Sequence, residues 1–259
     1  TQAINKFFFK ILYKFNIIFF NKFIHYGDFY LNNEISFYDF INIVSKPSNI
    51  LNKITIVEGW SVNDLNNELI KHFNNFDNIP YDDILADTYF FENNNNFDQF
   101  KTKLRKIKKV YFINNEKNII FENYTPHDLL VIGSLIEKEG LDYYDKRNIS
   151  SVIFNRLEIG MKLQIDATVI YAITNGKFNL NRKLLFKDLK FDHPYNTYKY
   201  KGLPPKPITY VSTETLDIIL ENYKTDFLFY FYNNSLNKHI FSKNFKEHRE
   251  KLNEYRKNK

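Results

Sequence analysis

Cysteine is absent from the 259 residues, which excludes disulfides, thiolate chemistry and cysteine-ligated zinc. That absence fits a reducing and an oxidising compartment equally. Also missing is any window of the roughly 18 apolar residues that a membrane-spanning helix needs. The nearest approach, Phe7 to Phe20, is interrupted by Lys10 and Lys14. Charge of one sign is not in large excess: 36 basic against 30 acidic side chains leave +6, with the lysines spread along the chain. No nucleic-acid-binding motif accompanies the charge, so nucleic acid is not an expected partner. A basic surface suits anionic lipid or an acidic polymer as well. There is no internal repeat. His239 and His248 stand without carboxylates at ligand spacing, so no metal site is expected, and nothing calls for a cofactor.

What is present reads as a globular protein, 44% hydrophobic and 25% charged, of one large domain or two modest ones. Ile4, Phe8, Ile11, Phe15 and Phe19 recur at helical spacing, so residues 1–26 are expected to hold an amphipathic helix packed on the N-terminal module. After Gly27, Phe29-Tyr30-Leu31 reads as a strand, Ser36 to Ser45 as a helix packed through Phe37, Phe40 and Ile41, and Ile54 to Val57 as a second strand. Ser61-Val62-Asn63-Asp64 opens a helix carrying Leu65, Leu69 and Ile70. This makes a small α/β module over 27–75. The polar stretch Asn74 to Asp83 marks its boundary, and Asn93 to Asn96 reads as a loop tip. From 76 to 259 the pattern is mixed α+β. It holds a lysine-rich helix from Phe97 to Val110, a helix starting at Thr125, and another through Ile149, Val152, Ile153 and Leu157 that stops at Gly160. Strands at Phe227–Tyr232 and His239–Phe241 and a closing helix from about Asn244 complete it.

The helix starting at Thr125 carries the chemistry. Threonine caps, proline fits the first helical position, and Asp128 can return a hydrogen bond. Ile132, Leu135 and Ile136 lie on one stripe, and continuing it by three and four residues reaches Glu139. Glu137 points to roughly the opposite side, so the two do not form a dyad sharing a proton. A carboxylic acid against apolar surroundings has a raised pKa and stays protonated near neutral pH, as a general acid must. Gly140 ends the helix just beyond it.

Four ordered segments surround that acid in sequence: Ser134-Leu135-Ile136-Glu137-Lys138-Glu139; Val152 to Leu157 followed by Gly160 to Tyr171; Pro194-Tyr195-Asn196-Thr197-Tyr198 with Gly202 to Ile208; and His239-Ile240-Phe241-Ser242 with Glu247-His248. Together with Val57-Glu58-Gly59-Trp60-Ser61 and Ala86-Asp87-Thr88-Tyr89-Phe90, this set resembles the YceG-like endolytic murein transglycosylases over roughly residues 27–255. The resemblance implies a LysM-like module over 27–75, then a catalytic domain over 76–259. It implies an inner-membrane anchor preceding residue 1 and a catalytic part facing the periplasm. Peptidoglycan glycan strands are the implied substrate, with peptidoglycan synthases as neighbours. The expected reaction cleaves the bond between N-acetylmuramic acid and N-acetylglucosamine inside a strand and leaves 1,6-anhydro ends, limiting strand length.

The family's catalytic acid, the second glutamate of Glu-Lys-Glu, is Glu139. Gln164, Asp166, Thr168, Tyr195, Asn196 and Tyr198 match motif positions of the polar type that holds a sugar, and each has a structural alternative as a cap, strand residue or core aromatic. Asn155 and Arg156 read as a network between helices. Two departures stand out: Ala167 follows Asp166 where the family usually has proline, and Gly140 stands where alanine or threonine is common. The rival readings are a muramidase-type hydrolase in which Asp166 stabilises charge or activates water, and a non-catalytic glycan-binding scaffold.

Overall fold

The computed structural model describes residue 14 and residues 23–25, 29–31, 35–48, 51–92 and 96–257. The helix expected within residues 1–26 and most of the Asn93–Asn96 tip fall outside them. The chain divides into two units, one of residues 1–53 with 90–96 and one of residues 54–89 with 97–259.

In the first unit, α1 (Phe37–Val44) is capped by Ser36, whose hydroxyl accepts from Asp39 N at 3.1 Å, and it buries Ile41 and Val44. Phe37 and Phe40 are only half-buried. Residues 29–31 do not form the expected strand. Tyr30 and Leu31 are exposed, and no strand among the described residues pairs with them to satisfy a ladder. The strand expected at Ile54–Val57 lies slightly earlier, as β1 (Leu51–Thr55), and pairs with β2 (Thr88–Glu92) in a two-stranded sheet.

The second unit includes α2 (Val62–Leu69), grouped above with the small module. Ser61 and Asp64 form its capping box, as their spacing predicts. α3 (Phe97–Asn115) buries Phe97, Phe100 and Leu104. At the centre runs α4 (Pro126–Glu139), whose capping box joins Thr125 and Asp128. Every residue from Leu129 to Ile136 is buried, because α5 (Tyr143–Glu158), α6 (Asp166–Thr174) and α7 (Thr213–Leu220) all pack on it. Such a helix is apolar all round rather than striped. Gly133 lets it approach the segment before α7, since a Cβ there would strike the Val211 side chain.

The chain closes with the hairpin of β3 (Phe229–Asn233) and β4 (Lys238–Ser242), then α8 (Phe245–Lys257). The strands are antiparallel, with Tyr230 opposite Phe241 and Tyr232 opposite His239. Asn155 and Arg156, read as a network between helices, instead bond loop carbonyls and tie α5 to the segment leading into this hairpin. The Asn155 amide donates to Thr225 O (2.7 Å) and Phe227 O (2.9 Å), and Arg156 Nε donates to Leu228 O (2.7 Å). Arg156 also donates to Leu163 O at 2.5 Å, tying the turn that leads into α6 to the same helix.

Candidate active site

A cleft of about 650 Å³ opens where α4 ends. Lys138 and Glu139 reach it from the last turn of α4, and Asp166, Ala167, Ile170 and Tyr171 from the start of α6. Ser61, Asn63 and Asp64 at the start of α2 face them, and Gly176 to Leu180 form a lip. Asn63 Nδ2 ties that lip to α2 by donating to Lys177 O at 2.6 Å.

Glu139 is held well above its ordinary value of 4.5, at about 7. Burial is the largest cause, and the nearby Asp166 carboxylate is the next. His239 and the hydroxyl of Tyr230 act in the opposite sense and keep the charged form accessible. Near neutral pH the side chain is therefore divided between acid and base forms. That poise suits a group that must first give a proton and then take one.

The other predicted side chains fall into three groups. Asp166 lines the cleft, and its Oδ1 accepts from the Tyr198 hydroxyl at 2.5 Å. It occupies the first position of α6 rather than the cap, which is Ile165 with no side-chain bond. Tyr198 thus holds Asp166, and Tyr195 packs on the cleft residue Tyr171 with ring centroids 4.7 Å apart. Burial pushes the Tyr195 phenol up to about 12.

Thr168 and Asn196 are fully buried beneath the cleft. Thr168 Oγ1 lies 2.8 Å from Thr197 Oγ1, which also accepts from Ile165 N at 3.0 Å. The Asn196 amide donates to Leu189 O (3.1 Å) and Phe191 O (2.8 Å). These two shape the walls rather than line them. Gln164 is exposed and not part of the cleft lining. Its φ of 52° is a left-handed backbone that a glycine would adopt without cost.

Glu137 points away from the cleft, as helix phase predicts, but it is the more deeply buried of the two glutamates. Its side chain is 0% exposed. One oxygen accepts from Ser212 N (3.0 Å) and Ser212 Oγ (2.7 Å), and the other pairs with Lys146 Nζ at 2.7 Å. Lys146 also donates to Thr215 Oγ1 at 3.0 Å. Glu137 is thereby committed to joining α4, α5 and α7. Gly140 ends the helix as expected, with an extended backbone of φ −77° and ψ 144°. A Cβ there would strike the Lys146 stem, so the glycine makes room for the lysine that serves Glu137.

Sequence reasoning missed three participants. The Tyr230 hydroxyl acts on Glu139 from a strand far along the chain, favouring its charged form. Lys138 donates to Gly59 O at 2.7 Å while lining the cleft, and burial lowers its pKa. His239, read as lacking a carboxylate, has one: its Nδ1 lies 2.8 Å from Asp145 Oδ2, with both side chains buried. The alternation of the two strands offered a weak signal for Tyr230, since it shares a face with His239 and Phe241. Among the described residues no cluster of three potential metal ligands occurs.

A carboxylic acid poised at neutrality in an open groove, braced by a tyrosine-held carboxylate, defines a candidate general acid. The YceG-like family model matches residues 2–254, and the chain belongs to that family. Over 129 residues it is 42% identical to an endolytic murein transglycosylase of Bacillus subtilis (strain 168), which covers 50% of this chain and 34% of that protein. Over 130 residues it is 34% identical to an endolytic murein transglycosylase of Streptococcus pneumoniae serotype 2, covering 49% of this chain and 23% of that protein. The matched stretch is thus well under half the length of these relatives. A crystal structure of a YceG-like protein from Listeria monocytogenes shares the fold, with a TM-score of 0.66 at 24% identity, covering 93% of this chain and 89% of that one.

Proposed function

We propose that the chain is the catalytic part of an endolytic lytic transglycosylase that cuts the bond between N-acetylmuramic acid and N-acetylglucosamine in nascent peptidoglycan. The observation that carries this reading is Glu139, poised at about 7 in the cleft beside Asp166. The protonated carboxyl gives its proton to the glycosidic oxygen, and the bond from that oxygen to the muramic C1 breaks. The resulting carboxylate then takes the proton from the C6 hydroxyl of the same sugar as its oxygen bonds to C1. Atoms balance without water, and one carboxyl serves both steps, so no second catalytic carboxylate is required.

Asp166 is a poor candidate for activating water, because one of its oxygens is engaged by the Tyr198 hydroxyl. It stabilises positive charge developing on the sugar and, with Tyr198, orients it. Family resemblance adds Gln164, Thr168, Tyr195 and Asn196 to the substrate-binding set, the buried members acting by shaping the walls and Gln164 only where the glycan extends beyond the cleft lining. In the same reading, residues 27–75 form a LysM-like module and 76–259 the catalytic domain, held by an inner-membrane anchor with its cleft in the periplasm near peptidoglycan synthases. Family resemblance supports these placements.

Mass spectrometry of fragments released from purified glycan strands tests the reading. Anhydro ends, one water lighter than reducing ends, are expected from the wild type and not from Glu139→Gln. Reducing ends would instead establish the hydrolase, and strands bound but uncut by the wild type would establish the scaffold.

A further inference from the structure

Two residues beyond the cleft lip the chain makes a turn that leaves apolar side chains exposed, although the Phe191 ring stacks on His193 with centroids 6.0 Å apart. Phe186 is 88% exposed, and Leu185 and Phe191 are 47% and 44% exposed. The turn is locked in place. The buried Asp188 carboxylate accepts from Leu185 N (2.8 Å), from Arg182 Nη1 (2.5 Å) and from Arg182 Nη2 (3.1 Å). Asp188 N returns a bond to Leu185 O at 2.8 Å, and the short 3₁₀ helix Asp188–Lys190 follows. Asn196 holds the far side through Leu189 O and Phe191 O. The chain therefore spends well-made hydrogen bonds on presenting Leu185, Phe186 and Phe191 to the outside.

The charges around them are one-sided. Between Arg182 and Asp192 the two acids are each in an ion pair: Asp188 with Arg182, and Asp192 with Lys199 at 2.8 Å. Lys183, Lys187 and Lys190 are exposed, and none has an acidic partner within ion-pair distance among the described residues. Three exposed lysines outside any ion pair thus alternate along the turn with three exposed apolar side chains, and only Lys187 acts on an acid, Asp188, through its charge.

We propose that the turn Arg182–Phe191 docks onto an anionic phospholipid surface. Apolar tips enter the boundary between headgroups and acyl chains, while lysines whose stems lie along apolar surface meet the phosphates. Glycan is a poorer occupant. Sugars stack on flat aromatic faces, which leaves the aliphatic Leu185 unused. Docking carries the cleft lip at Gly176–Leu180 toward the bilayer, so the groove takes substrate close to the membrane surface. The inference stands whether or not Glu139 is the catalytic acid.

Co-sedimentation of the full 259-residue chain with vesicles tests it, using phosphatidylcholine alone and phosphatidylcholine mixed with phosphatidylglycerol. Wild-type protein sediments with the mixed vesicles and not with the neutral ones, and added salt weakens the binding. K183E/K187E/K190E loses binding by well over tenfold, since each lysine near an anionic surface contributes roughly fivefold. L185S/F186S loses it by roughly tenfold. Both variants keep the wild-type melting profile and wild-type cleavage of soluble glycan, and Glu139→Gln keeps vesicle binding, so failure here is separable from failure of the proposed reaction. The proposal is overturned if the wild type ignores anionic vesicles, or if both turn variants bind them as the wild type does. Loss of retention on insoluble peptidoglycan with vesicle binding intact also overturns it, and would assign the turn to the wall polymer.

Discussion

Two glutamates two residues apart are expected to fail in different ways, and the difference is large enough to measure. Glu137→Gln keeps the size of the side chain and an acceptor for Ser212. It removes the negative charge that faces Lys146, whose side chain is only 10% exposed. Breaking a buried ion pair by removing one partner costs about 3–5 kcal/mol, because the remaining charge is left without a counter-charge. The Thr215 hydroxyl remains as a partner for Lys146, which puts the expectation at the lower end, about 3 kcal/mol. For a chain of this size that is a fall in Tm of roughly 6–12 °C. Urea unfolding and thermal melts followed by circular dichroism read both quantities. Adding Lys146→Met to Glu137→Gln removes the stranded charge, keeps the acceptor for Ser212 and regains most of the loss. The reasoning is refuted if Glu137→Gln is as stable as the wild type, or if the double variant is weaker than the single one.

Two substitutions move the pH profile of activity in opposite directions. Asp166→Asn removes a charge that raises the Glu139 pKa, so the alkaline limb moves to lower pH. Tyr230→Phe removes a hydroxyl that favours the carboxylate, so the limb moves to higher pH. A full charge-assisted bond exceeds a neutral one by on the order of 1 kcal/mol, which bounds the Tyr230 displacement at a little under one pH unit. Glu139 also costs stability. Its folded value of about 7 lies above its ordinary 4.5, so the native state holds a proton that the unfolded chain releases in that window, and stability falls as pH rises through it. Glu139→Gln abolishes that fall: urea titrations show it equal to the wild type in acid and more stable above neutrality, by at most about 3 kcal/mol.

The local parts of the fold were legible in sequence. The boxes at Ser61/Asp64 and Thr125/Asp128 involve residues three apart, and both form as their spacing predicts. What escaped is non-local. Glu137 meets Ser212 across 75 residues and Asp145 meets His239 across 94, and no periodicity carries such pairings. Helix phase selected Glu139, yet α4 is buried on every side from Leu129 to Ile136, so phase separated the two glutamates by direction and not by depth. Among the candidate binding residues, the side-chain types were readable but not the side of the backbone on which each would fall. Asp166 faces the cleft, Tyr198 grips it from behind, and Thr168 and Asn196 turn inward to bond the chain itself. The expected strand at 29–31 failed because three apolar residues specify no partner.

The account rests on the proton that Glu139 keeps near neutral pH. Carbon-13 NMR of the glutamate side-chain carboxyls, titrated in the wild type and assigned by the signal missing from Glu139→Gln, reads it directly. A midpoint at about 7 is the predicted result, with Asp166→Asn displacing it downward. A midpoint at the ordinary 4.5 would contradict the account, because the residue would then be a carboxylate with no proton to give.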